Sequence, residues 1–61
     1  MYRISMPKRI INELEICLKQ KGITPIIQDD PPANKTLAVQ GLDELKELGL
    51  CLKSFNEDVW G

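Results

Sequence analysis

The chain is 61 residues long, with 43% hydrophobic and 28% charged residues and a formal net charge of −1. That length makes one small domain, 1–61, burying only about 60% of the surface its unfolded form exposes, and the composition excludes a wholly disordered chain. The near-zero charge gives no overall pull toward nucleic acid or membrane, the lack of histidine removes the usual general base and the commonest metal ligand, and no apolar run approaches the ~20 residues of a membrane-spanning helix.

Tyr2 to Met6 alternates, with Tyr2, Ile4 and Met6 on one side and Arg3 and Ser5 on the other. This predicts a short strand with one buried face. The main helix is predicted over about 7–21. Ile10, Ile11, Leu14, Cys17 and Leu18 recur at helical spacing and share one face. Pro7 suits the first turn, where its missing N–H is no loss, and Gly22 suits the C-terminal cap. Arg9 and Glu13, then Glu15 and Lys19, stand four apart and can pair on the wet side. Ile16 breaks the pattern, pointing nearly opposite Ile10 and Leu14. Ile23 to Gln28 reads as a second strand, which Pro25 confines to an edge or starts late.

Asp29 to Lys35 carries Pro31 and Pro32 and is predicted to be a loop. Thr36 to Gln40 reads as a third strand with Leu37 and Val39 facing the core. A short second helix is predicted over about 42–48, with Leu42, Leu45 and Leu48 on one face. Asp43 and Glu44 fall in its first turn, where the helix dipole favours them, and Gly49 is predicted to end it. Leu50 to Phe55 reads as a fourth strand or, alternatively, an extended arm. The span from Gly41 to Gly49 is shorter than the ~10–12 residues of a parallel crossover. Residues 56–61 form an acidic tail, flexible or partner-binding, with Val59 and the sole tryptophan, Trp60. The expected fold is a small α+β domain of order β-α-β-β-α-β.

Cys17 and Cys51 each sit in an apolar run, where a free cysteine behaves as a small hydrophobe. Met1 to Ser5 shows no apolar leader segment, so the expectation is a cytoplasmic chain with reduced, buried thiols. A Cys17–Cys51 bridge is the alternative for an oxidising compartment.

The chemistry on offer is sparse. Without histidine no hydroxyl can join a triad, and two distant cysteines make a poor zinc site. No catalytic, cofactor or metal residues are expected, and the chain is not expected to be an enzyme. The charge is unevenly spread. The first part is basic through Arg3, Lys8, Arg9, Lys19 and Lys21, and the second is acidic. The expected function is binding of a protein partner by a homo-oligomer. Its surface would comprise Ile16, Asp43, Glu44, Glu47, Glu57, Asp58, Val59 and Trp60, since an aromatic anchor with flanking charge suits a small interface.

Residues 2–24, YRISMPKRIINELEICLKQKGIT, resemble the opening of ribbon-helix-helix DNA-binding proteins. The resemblance implies a strand that pairs with its dimer mate and presents Arg3 and Ser5 to base edges in the major groove, a groove that admits a two-stranded ribbon. The alternative function is therefore a dimeric DNA-binding regulator. The resemblance stops at residue 24, because the family's second helix cannot run through Pro31-Pro32.

Overall fold

The computed structural model describes the backbone of residues 1–60 and the side chains of residues 1–56. The chain forms β1 (Tyr2–Pro7), α1 (Lys8–Gln20), β2 (Ile26–Asp30), β3 (Asn34–Val39) and α2 (Leu42–Trp60). It is an α+β domain with a three-stranded antiparallel sheet in the order β1-β3-β2. The central place of β3 accounts for the burial of Leu37, Ala38 and Val39.

Local chemistry explains α1 well. Ile11, Leu14 and Leu18 are its buried residues. Pro7 closes β1 and occupies the N-cap position, just outside the helix rather than in its first turn. One N–H at the helix start is satisfied from outside, by Lys8 N donating to Ala33 O at 3.2 Å. At the other end Gly22 takes φ 83°. Ile23 N donates to Leu18 O and Gly22 N to Lys19 O, both at 3.0 Å. These paired bonds are a Schellman cap, which the left-handed glycine makes possible. Glu15 and Lys19 pair at 3.3 Å, whereas Arg9 and Glu13 do not pair with each other.

The hairpin is tighter than expected. β2 runs from Ile26 to Asp30 and β3 begins at Asn34, leaving only Pro31-Pro32-Ala33 as the turn. The Pro31–Pro32 peptide bond is cis. Asp29, Asp30 and Asn34 favour turns individually. Pairing with β3 overrides that preference and sets Asp29 directly across from Lys35, whose Nζ donates to Asn12 Oδ1 at 3.3 Å.

The largest departure is in the last third. The expected end at Gly49 and the fourth strand at 50–55 are both absent, because α2 continues through them to Trp60. Leu45, Leu48, Cys51, Leu52 and Phe55 recur at helical spacing and are all buried or half-buried. Gly49 lies on the exposed side, where nothing stands within 4 Å of the place its Cβ would occupy. Burying this stripe outweighs the roughly 0.5–1 kcal/mol a helical glycine costs. Residues 56–60, set apart above as a tail, belong to the same helix.

α1 lies against β1 and β3, and α2 packs principally against α1. The core joins Ile11, Leu14 and Leu18 to Leu37, Val39, Leu48 and Cys51. The expectation of reduced thiols is overturned: Cys17 and Cys51 form a disulfide, with Cα atoms 6.0 Å apart. The helical continuation is the reason. It turns Cys51 inward toward α1, on the side where Cys17 already lies.

Candidate functional site

The two helices cover one face of the sheet and leave the other open. Ile4, Met6 and Ile27 point to the core, so the pleat directs their neighbours outward. The register then aligns Arg3, Ala38 and Ile26 in one row across the open face, and Ser5, Thr36 and Gln28 in the next. Arg3, Ile26, Gln28, Thr36 and Ala38 line a shallow depression with Met1. Ala38 is only 4% exposed although no helix covers it. Ser5 Oγ donates to Asp30 Oδ2 at 2.8 Å, which fixes a carboxylate on the open face two positions from Arg3.

The two outer strands of the sheet differ chemically. β2 is preceded by Pro25, which has no N–H, and ends in Asp29-Asp30, with Pro31 directly after it. Charges and prolines of this kind block further strand pairing. β1 presents Tyr2 to Met6 with no proline and no acidic residue, and only Pro7 closes it. Among the described residues its outer side therefore offers backbone N–H and C=O groups with no strand partner over about five residues, enough for strand addition.

The residues expected to bind a partner are dispersed. Ile16 is 53% exposed on the outer side of α1. Asp43 is exposed at the start of α2. Glu44 is engaged internally: its Oε1 accepts from Gln40 N at 3.1 Å, securing the chain before the helix. Glu47 forms an ion pair with Lys21 at 3.0 Å, tying α2 to the end of α1. The side chains of Glu57, Asp58, Val59 and Trp60 lie outside the described residues. Arg3 and Ser5, by contrast, do share one exposed surface.

Two participants escaped the sequence reading. The sequence expects Asp30 in a loop, and nothing local links it to Ser5, 25 residues away. The Cys17–Cys51 bridge was visible only as the weaker alternative, although continued helical spacing from Leu45 would have turned Cys51 inward. A cleft of about 90 Å³ lies at this bridge, lined by Glu13, Leu14, Cys17, Cys51, Ser54 and Phe55. Among the described residues no cluster of three or more histidine, cysteine, aspartate or glutamate side chains is placed to hold a metal ion, and no helix is long and apolar enough to cross a membrane. Comparisons with protein-family models, with curated proteins and with solved structures found no match for this chain.

Proposed function

We propose that this chain is a non-enzymatic interaction protein that binds extended polypeptide at the outer edge of β1, with a second copy of itself as the first partner. The observation that carries this reading is the contrast between the two sheet edges. β2 is blocked by proline and acid, and β1 is open.

The β1 sequence is self-complementary in one register. An antiparallel pairing with Ile4 opposite Ile4 of the second copy sets Arg3 across from Ser5 of that copy. Asp30 of the second copy, bonded to that Ser5, then comes within reach of the guanidinium. Two-fold symmetry repeats the contact. Tyr2 falls opposite Met6 on the helix-covered side and lengthens the apolar strip. A shift by one residue would set Arg3 against Ile4 and put the helix layers on opposite faces, so parity favours the first register. The result is a continuous six-stranded sheet.

Sedimentation over a micromolar concentration series, with amide hydrogen exchange, tests the reading. Twice the chain mass is expected, with protection of β1 amides that rises with concentration, and Arg3→Glu should return the monomer. A wild-type monomer at every concentration, with β1 amides exchanging freely, would remove the self-pairing.

Binding of duplex DNA is the second reading, favoured by the placement of Arg3 and Ser5 on the open face. The Asp30 carboxylate opposes phosphate there, which ranks this reading lower. Arg3→Ala should then weaken duplex binding and lower its salt dependence, since one fewer counterion would be released. Absence of wild-type binding at low salt would eliminate it.

A further inference from the structure

The Cys17–Cys51 bridge holds both cysteines of the chain, and its two ends are not equivalent. Cys51 is 2% exposed, enclosed in the core with Leu48. Cys17 is half-buried, and both residues border the cleft between α1 and α2. Glu13 lines the same cleft one helical turn before Cys17 and forms no ion pair with Arg9, the cation one turn further back.

We infer that Cys17 is the sulfur through which small thiols enter the bridge, and that Glu13 makes this entry selective for neutral and cationic thiols. Exchange depends on which sulfur the incoming thiolate can reach, and access is better on the Cys17 side. The thiolate attacks Cys17 Sγ and forms a mixed disulfide there. The Cys17–Cys51 bond breaks, and Cys51 Sγ leaves with the electron pair and takes a proton from solvent. The incoming thiol is oxidised to the disulfide level as Cys51 is reduced, so no other oxidant is needed. The product is an S-thiolated Cys17 beside a free Cys51, with α2 no longer pinned covalently to α1.

The test uses the folded full chain, a cationic thiol (cysteamine) and an anionic thiol of similar size (2-mercaptoethanesulfonate) at low ionic strength, where screening is weak. Acid quench, alkylation of the freed thiol and peptide mass mapping locate each modification. The adduct is expected on Cys17 and the alkyl group on Cys51. Replacing Glu13 by Gln should raise the anionic rate relative to the cationic one by roughly sixteenfold, about fourfold from the repulsion removed and about fourfold from the attraction removed for charges about 5 Å apart in water. An adduct shared equally or found mainly on Cys51 would overturn the assignment of the entry sulfur. A rate ratio unmoved by Glu13→Gln would overturn the selectivity. Two free thiols in the protein as isolated would overturn both.

Discussion

The two helices do different work for the fold. α1 rests on β1 and β3 and also packs along α2, so its apolar stripe meets two partners. Both its ends are tied by backbone hydrogen bonds, to the hairpin turn at Lys8 and through the glycine cap at Gly22 and Ile23. α2 is longer, yet it packs principally against α1, and beside its apolar stripe it is tied there by the bridge at Cys51 and the Glu47–Lys21 ion pair. A helix can thus be specified by its own periodicity, as α1 is, or by what another element offers it.

Breaking the bridge should separate these roles most sharply. The cysteines are 34 residues apart, and the chain-entropy account of such a loop gives ~4 kcal/mol. Replacing both by serine should lower the thermal midpoint on the order of 20 °C in a domain this small. Amide exchange should accelerate earlier in α2 than in α1. Equal acceleration in both helices would mean that α2 is not the dependent one.

Core truncations rank next. Leu14 and Leu48 are each 1% exposed, but Leu14 belongs to the helix that contacts both the sheet and the other helix. Urea unfolding should show a loss of about 3 kcal/mol for Leu14→Ala and about 2 kcal/mol for Leu48→Ala, within the usual range for buried leucines. The reverse order would contradict the hierarchy of the helices.

Gly49→Ala should act in the opposite direction. The site is helical and open, so the substitution should stabilise by about 0.5–1 kcal/mol, read as a higher urea midpoint. A destabilised variant would be incompatible with an uninterrupted α2. The smallest effect is expected for Lys21→Ala. The Lys21 and Glu47 side chains are 37% and 36% exposed, and loss of such a surface pair should cost at most about 0.5 kcal/mol. Its sign is best read from a double-mutant cycle with Glu47→Ala.

The same difference explains what the sequence disclosed. β1 and α1 were legible because alternation and helical spacing each admit one assignment there, and Pro7 and Gly22 punctuate them. The outward placement of Arg3 and Ser5 followed from the same alternation. α2 was misread because Leu50-Cys51-Leu52 contains apolar neighbours that suit a strand as well as a helix, and Gly49 resembles a stop. Only the apolar side of α1, supplied by the tertiary fold, decides between them. Nor could the sequence announce that β1 would pair with β3 rather than with the nearer β2, that Asp30 would meet Ser5, or that Glu44 and Glu47 would be engaged inside the domain.

The position of the bridge also bears on how the chain withstands proteases. Residues 17 to 51 form a covalent ring through the disulfide, and this ring holds the whole β2–β3 hairpin with its exposed Pro31-Pro32-Ala33 turn. A single cut at that turn opens the ring without releasing either piece. The nicked protein keeps the two fragments together through sulfur and can retain its helix pair. Digestion would therefore leave one band on a non-reducing gel and two after reduction, and nicking would become fragmentation only where thiols are present.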